Sequence, residues 1–178
     1  EQNVFEQSPE HADRLIISSP VLSNSKMHQI RTLGRKGYEI ADIDLNYVAT
    51  EGLEAAIARI CIEAAQAVRD GKTLLVLSDK KIREGYLPAN ALMATGAIHH
   101  HLIQVGLRTD ANIIVETGLA RDPHQFAVIL GFGATAIYPY LAYDVINDLV
   151  AKGELLGDPI HAQANFRKGI EKGLLKVL

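Results

Sequence analysis

Cysteine, tryptophan and aromatic residues in general are scarce in this chain. It has one cysteine, Cys61, no tryptophan, and 6% aromatic residues. A single cysteine excludes an internal disulfide, which is typical of proteins from a reducing compartment. It also excludes an iron–sulfur cluster held by this chain alone, because such a cluster needs several thiolates.

An excess of positive charge and long apolar runs are also missing. The net charge is −3, and lysine and arginine are scattered along the chain. The sequence therefore lacks the basic face that nucleic-acid binding requires, and we predict no nucleic-acid partner. The longest apolar runs, such as residues 73–77, are far too short to span a bilayer, so we predict no membrane partner.

The composition is that of a globular domain. Of the 178 residues, 48% are hydrophobic and 22% are charged, enough to bury one core of ordinary size. The chain starts at Glu1 rather than methionine and stops directly after a helical pattern. We expect it to be a piece of a longer protein.

Strand patterns and helix patterns alternate along the sequence. Strands are predicted at 39–43, 73–77, 112–116 and 136–138. Helices are predicted at 25–35, from an N-cap at Thr50 to Gly71, from Pro88 to about 105, at 123–131, at 141–152, and from about 162. Such alternation produces parallel βαβ units. We predict an α/β fold, a single domain that forms an incomplete, half TIM-like barrel; a small doubly wound sheet is the alternative.

Local signals also divide the chain into three parts. Residues 1–24 are polar with one short apolar run, and predict an extended linker or arm. Residues 25–161 hold the α/β core, and residues 162–178 form a helical connector. Within the core, Asp122 is the best helix N-cap, because Pro123 follows at the first helical position and Gln125 can complete a capping box.

The loop from Glu116 to Asp122 is the first candidate site. It follows a buried strand, where parallel sheets place their sites, and it contains Thr117, Gly118 and Arg121. The next helix offers an anion-binding N-terminus, but the negative charge of Asp122 disfavours phosphate there. We predict a closed structural loop in which Arg121 pairs with a carboxylate; a phosphate or cofactor site is the alternative.

The second candidate is the aromatic segment after the last strand. Pro139, Tyr140 and Tyr143 are placed to form an aromatic wall at the strand ends, although ordinary amphipathic packing explains them as well. Asp79 and Lys80 also follow a strand. They suggest acid–base chemistry, but charged pairs in such loops are usually solvated.

Two further motifs are more simply structural. Consecutive helical residues project about 100° apart, so His99, His100 and His101 cannot converge on one metal ion. The segment 131–136, GFGATA, matches a dinucleotide-binding pattern. However, that pattern needs a strand before it and a helix after it, and here the order is reversed. We predict a turn that ends a helix.

Many sequence blocks, taken together, resemble the central domain of the glutamate synthase large subunit, over residues 1–178. They are EQN at the start, SPVLS at 19–23, LSDK at 77–80, PA at 88–89, AIHHHLI at 97–103, GLRT at 106–109, VETG at 115–118, ARDPHQFA at 120–127 and GFGATAIYPYLA at 131–142. Their matching order makes the resemblance far more specific than any single motif.

The resemblance implies a part in converting glutamine, 2-oxoglutarate and reducing equivalents into two glutamates. In that family an amidotransferase domain with an N-terminal cysteine releases ammonia, and a flavin barrel with an iron–sulfur cluster performs the reductive step. The parent enzyme would therefore carry FMN and the cluster, and we expect no cofactor in this segment. Its partners would be those two domains of the same polypeptide, with the connector at 162–178 leading to the flavin barrel. The location would be the cytoplasm, or the stroma of a plastid.

Three hypotheses follow. The first is a non-catalytic scaffold that links the two domains and helps to wall the ammonia passage, with contact loops formed by Glu116 to Arg121 and Pro139 to Tyr143. The second is an independent phosphate- or FMN-binding barrel enzyme. The third is a plain assembly module, which predicts a large exposed apolar patch.

Overall fold

The structure is a computed structural model that describes residues 14–177. Its strands are β1 (Ile40–Asp44), β2 (Asn46–Val48), β3 (Leu74–Ser78), β4 (Tyr86–Pro88), β5 (Asn112–Glu116) and β6 (Ala136–Tyr138). Its helices are α1 (Asn24–Arg31), α2 (Leu53–Arg69), α3 (Ala91–Gln104), α4 (Pro123–Gly131), α5 (Tyr140–Ala151) and α6 (Pro159–Val177).

Four parallel strands form the main sheet, in the order β1-β3-β5-β6. Spatial order follows chain order, as in the wall of a barrel, and the four strands do not close on themselves. The predicted α/β fold with an incomplete barrel-like sheet is confirmed. Strand β3 is buried along its whole length, which explains its uninterrupted apolar sequence.

Each face of the sheet has its own core. Side chains such as Leu75 and Leu77 pack in a large cluster with residues of α2, α3, α4 and α6. The alternate side chains, such as Leu74 and Val76, point to the opposite face, where Met27 of α1 covers them. Helix α1 therefore occupies the face that a complete barrel would enclose.

A short segment before α1 extends the sheet. We call residues 17–23 the strap. The Leu22 N–H donates to Ile137 O at 2.9 Å, and the Ile137 N–H donates to Pro20 O at 2.7 Å, so that the strap runs parallel to β6 at the edge of the sheet. Of the predicted arm, residues 1–13 lie outside the described residues. The boundaries at 24 and 161 remain predictions.

Two predicted helix starts were wrong. Helix α2 is capped by Gly52, whose φ of 78° and ψ of 150° suit glycine, and not by Thr50. Helix α3 begins at Ala91, because the Asn90 side chain accepts a hydrogen bond from the Leu92 N–H at 3.0 Å. Pro88, the predicted start of α3, belongs instead to β4, which pairs antiparallel with β2. These three-residue strands are too short to show an alternating pattern.

The predicted capping box is confirmed. The Asp122 carboxylate accepts a hydrogen bond from the Gln125 N–H at 3.0 Å, and the Gln125 side chain accepts one from the Asp122 N–H. Pro123 stands at the start of the helix, where its missing N–H costs nothing. Pro123 also packs against α6 at Gly173, where an added Cβ would overlap its ring.

We expect Gly173→Ala to lower the free energy of unfolding by about 1–3 kcal/mol, because α6 would be pushed away from Pro123. Gly169 is the matched control, since it lies one turn earlier in α6 and a Cβ there meets nothing within 4 Å. Gly169→Ala should stabilise the chain by roughly 0.5–1 kcal/mol through helix propensity. Urea unfolding of both variants measures the difference, and equal effects would contradict this account of the α4–α6 contact.

Candidate functional site at the strand ends

The four parallel strands bring their last residues into one row. Asp44 of β1 lies beside Ser78 of β3, Ser78 beside Glu116 of β5, and Glu116 beside Tyr138 of β6. This row is the carboxyl edge of the sheet, where α/β folds place their sites. All four of its residues carry a carboxylate or a hydroxyl group and are buried or half-buried.

An ionic cluster joins this row to α1. Glu116, which is 5% exposed, accepts a hydrogen bond from Ser78 Oγ at 2.6 Å and from Arg31 Nη2 at 3.2 Å. The other arm of Arg31, Nη1, reaches Asp42 Oδ1 at 2.8 Å. Burial opposes the charge of Arg31, but the bonds and charges of Asp42 and Glu116 outweigh it and raise the Arg31 pKa above its ordinary value.

A second cluster is centred on Asp79. Its carboxylate is 4% exposed and accepts hydrogen bonds from Thr117 Oγ1 and from the Gly118 N–H, the latter at 3.1 Å. The Thr117 hydroxyl oxygen in turn accepts a bond from the Leu119 N–H at 3.0 Å. The expectation that Asp79 is solvated was wrong, because the loop after β5 folds around its carboxylate. Its neighbour Lys80 is exposed.

The two predicted contact loops meet at Gly118. A Cβ added to Gly118 would lie 3.1 Å from Leu141 Cδ2 and 3.3 Å from the Tyr140 hydroxyl oxygen, so a larger residue would have to push these side chains aside. Tyr140 is 6% exposed, and burial, followed by the negative charge of Asp79, raises its pKa above the ordinary value. Its hydroxyl group therefore stays protonated at neutral pH.

The remaining predicted residues lie elsewhere. Tyr143 is fully buried; its ring lies 5.9 Å from that of Tyr138 at the end of β6 and its hydroxyl group bonds the strap, while Pro139 forms the N-cap of α5. The Arg121 side chain is exposed, and within residues 14–177 no ion pair joins it to the carboxylate that we predicted. Its backbone N–H donates to the Gln125 side chain at 2.8 Å.

Exposed aliphatic side chains surround the polar clusters. Every loop that follows a strand of the main sheet, taken with the first turns of the next helix, carries at least one of them. We call this set the apolar rim: Val48 after β1, Ile82 and Leu87 after β3, Leu119 after β5, and Leu141 and Val145 after β6. Exposed aliphatic side chains gathered at one edge of a sheet are a feature of contact surfaces.

Comparison with known proteins agrees with this architecture. The glutamate synthase central domain family matches residues 1–178. The chain belongs to this family. It is 36% identical over 178 residues to the glutamate synthase [NADPH] large chain of Bacillus subtilis. The alignment covers 100% of this chain and 12% of that protein. The resemblance found in the sequence is thereby confirmed.

Other relatives of the central domain give the same coverage. The ferredoxin-dependent glutamate synthase, chloroplastic, of Oryza sativa subsp. japonica is 38% identical over 191 residues, covering 99% of this chain and 12% of that protein. Glutamate synthase [NADH] of Schizosaccharomyces pombe is 33% identical over 183 residues, covering 99% of this chain and 9% of that protein. The chain thus spans about a tenth of the length of these relatives.

The central domain's residues do not fit an FMN phosphate at the loop after β5. The backbone N–H groups that a phosphate would need there already donate to other groups. Those of Gly118 and Leu119 bind Asp79 and Thr117, and those of Arg121 and Asp122 bind Gln125. The helix N-terminus itself is capped by the Asp122 carboxylate, whose charge repels phosphate.

An iron–sulfur cluster does not fit the central domain either. Cys61 is the only cysteine of the chain, and it is buried in α2, where burial raises the pKa of its thiol. Residues 14–177 contain no group of three or more histidine, cysteine or carboxylate side chains arranged to hold a metal ion. Within the same residues, no helix is long and apolar enough to cross a membrane.

Both motifs that we interpreted as structural have structural partners. His99 Nδ1 accepts a hydrogen bond from Arg108 Nε at 2.9 Å, and burial, followed by the charge of Arg108, lowers the His99 pKa. In GFGATA, α4 ends at Gly131, and Gly133 takes a φ of 114° in the turn before β6. The predicted helix-ending turn is confirmed.

Sequence analysis missed the two residues that connect α1 to the strand ends. Arg31 lies 85 residues from Glu116 in the chain, and no local pattern indicates that they meet. Asp42 did carry a signal, because it stands between the apolar residues Ala41 and Ile43 in β1. A charge in that position commonly marks a paired or functional side chain.

Proposed function

We propose that this domain is a non-catalytic scaffold within a glutamate synthase. It holds the amidotransferase domain and the flavin-binding domain of the same polypeptide in register, and it contributes a wall to the passage of ammonia between them. The contact surface is the apolar rim at the carboxyl edge of the sheet, together with the exposed Arg121. The two loops beneath it are shaped by Glu116, Thr117 and Gly118 and by Pro139 and Tyr140, which are buried or half-buried. Tyr143 supports the second loop from within.

One observation carries this proposal: the buried polar groups at the strand ends are bonded to one another, and exposed aliphatic side chains stand in every loop around them. Glu116 is held by Ser78 and Arg31, and Asp79 by Thr117 and Gly118. A general acid or base must reach its substrate within hydrogen-bonding distance, and carboxylates held in this way favour a structural role over a catalytic one. The apolar rim suits burial against a neighbouring domain.

The relatives support a role that does not depend on the electron donor. Their names specify NADPH, ferredoxin and NADH, yet each matches 99% or more of this domain. A segment shared by enzymes with three different donors is better placed to perform a task common to all of them. Alignment of the two reaction centres is such a task.

The rim gives a direct test in the full-length enzyme that contains this domain. We expect Leu141→Asp to lower glutamine-dependent glutamate synthesis by roughly tenfold, since burying an unpaired charge in an interface typically costs more than 1 kcal/mol. Synthesis from added ammonium, which needs no transfer between domains, should fall much less. Ile103→Asp is the matched control. Ile103 is 51% exposed and Leu141 is 42% exposed, but Ile103 lies near the end of α3, at the opposite edge of the sheet.

Equal effects of the two substitutions on glutamine-dependent synthesis would contradict the assignment of this edge as the contact surface.

Titration of chain 1–178 with FMN tests the rival enzyme hypothesis. We expect no stoichiometric binding at micromolar concentrations, because the loop N–H groups are already used. Stoichiometric binding would overturn the scaffold proposal in favour of an independent FMN-binding barrel.

A further inference from the structure

Helix α6 contacts the amino end of α1 through a buried glutamine. Gln163, which is 8% exposed, accepts a hydrogen bond from Asn24 Nδ2 at 3.4 Å and donates one from its own Nε2 to Asn147 Oδ1 at 2.7 Å. Asn24 is the first residue of α1, and Asn147 lies in α5. One amide group thus joins α5 and α6, which are consecutive in the chain, to α1, which is far from both in sequence.

Tyr143 makes a parallel connection to the strap. Its hydroxyl group donates to the Leu22 carbonyl oxygen at 2.8 Å, and its ring meets the Phe166 ring of α6 edge-on, with centroids 6.0 Å apart. The Tyr138 hydroxyl group donates to Asn24 Oδ1 at 2.8 Å, so the strand end and the start of α1 are joined as well. These contacts fix the amino end of α1 against α5, α6 and β6.

The other end of α1 holds the ionic cluster. Arg31, its last residue, binds Asp42 and Glu116 at the carboxyl edge of the sheet. An eight-residue helix is a rod of about 12 Å, and Met27 and Ile30 anchor it along its length in the core beneath the sheet. Helix α1 therefore forms a rigid strut between α6 and the strand-end surface.

Gln163 does more than fill space. A leucine would occupy a similar volume and would remove the need to satisfy a buried amide, and one neutral hydrogen bond adds only about 1 kcal/mol to stability. Unlike a leucine, the amide makes hydrogen bonds that depend on the orientation of α6. Its two bonds are satisfied together only in one rotation and one register of α6 relative to α1 and α5, as is typical of fully bonded buried polar groups.

We propose that Gln163 is a positioning residue that couples α6 to the strand-end contact surface through Asn24 and the α1 strut. This inference rests on the proposed scaffold function. A shift of α6 moves Asn24, and through α1 it moves Arg31 and the Glu116 carboxylate at the end of β5. A movement of α6 thereby changes the strand-end contact surface, which we assign to contact with a neighbouring domain.

The test uses the full-length enzyme and measures the ammonia released to solution for each glutamate formed from glutamine. We expect Gln163→Leu to raise this ratio roughly fivefold, the lower end of usual coupling between sites. Asn24→Ala should act in the same direction, and the effect of the double variant should be smaller than the two single effects combined, because both substitutions remove the same Asn24–Gln163 bond. Asn24 is exposed, so its replacement leaves the core intact.

Gln66→Leu is the control, because among residues 14–177 the Gln66 amide bonds only Asp70, the C-cap of its own helix, at 2.9 Å. It should leave the ratio unchanged. A folded Gln163→Leu or Asn24→Ala variant with the parental ratio would overturn the inference while leaving the scaffold function intact. If Leu141→Asp and Ile103→Asp prove equivalent, the scaffold function fails, and the inference fails with it.

Discussion

Asp79→Ala is expected to lower the free energy of unfolding of this chain by about 3 kcal/mol. The carboxylate is buried, and its removal leaves the Thr117 hydroxyl group and the Gly118 N–H without their acceptor. A buried donor without a partner costs about 1–3 kcal/mol, and bonds to a charged acceptor are at the upper end of that range. The Thr117 side chain is 0% exposed, so water cannot replace the carboxylate there without opening the loop.

Two further variants define the cause of that loss. Asp79→Asn keeps one carbonyl oxygen in place and should cost roughly half as much, about 1–2 kcal/mol. Asp70→Ala removes an exposed carboxylate that bonds only Gln66 and should change stability by less than about 0.5 kcal/mol. Urea unfolding of the three variants gives their midpoints. The midpoints report differences in stability when the slopes of unfolding free energy against urea concentration agree. An Asp79→Ala midpoint equal to that of Asp70→Ala would refute the buried cluster.

The predictions that were confirmed rest on signals carried by neighbouring residues. The capping box at Asp122 needs only the three residues that follow it, and it fixes the start of α4. The apolar runs of β3 and β5 show in themselves that both faces are covered. Because helices separate these strands, parallel order follows from the chain, and this decides most of the fold.

The parts that sequence analysis missed depend on partners distant in the chain. Strand β4 exists because Pro88 pairs with Asn46, and Pro88 on its own also satisfies the rule for a first helical residue. The two lysines that follow Asp79 favour a solvated carboxylate in sequence analysis. In the structure the loop after β5 buries this carboxylate, and Thr117 donates a hydrogen bond to it. The hydrogen bonds at the strand ends thus depend on which loops contact each other in the fold. Patterns of neighbouring residues in the sequence do not show these contacts.

Gly133→Ala is expected to cost about 3–5 kcal/mol of stability. Gly133 has a φ of 114°, where L side chains are strained, and its Cβ would lie 2.6 Å from His99 Cγ and 3.0 Å from His99 Cβ. The His99 ring cannot turn away without losing the Arg108 Nε hydrogen bond, and Arg108 Nη2 also binds the Gly133 carbonyl oxygen at 2.9 Å. The motif that matches a dinucleotide site is therefore required by packing.

Gly131, two residues earlier in the same motif, provides the control for that prediction. It lies at the end of α4, and a Cβ there meets nothing within 4 Å, so Gly131→Ala should be neutral or slightly stabilising. The double variant His99→Ala/Gly133→Ala should be more stable, by about 1 kcal/mol or more, than the sum of the single effects predicts, because the overlap disappears with the ring. Thermal and urea unfolding measure both comparisons. Additive single effects, or a Gly131→Ala loss equal to that of Gly133→Ala, would show that the motif is not held by the contact with His99.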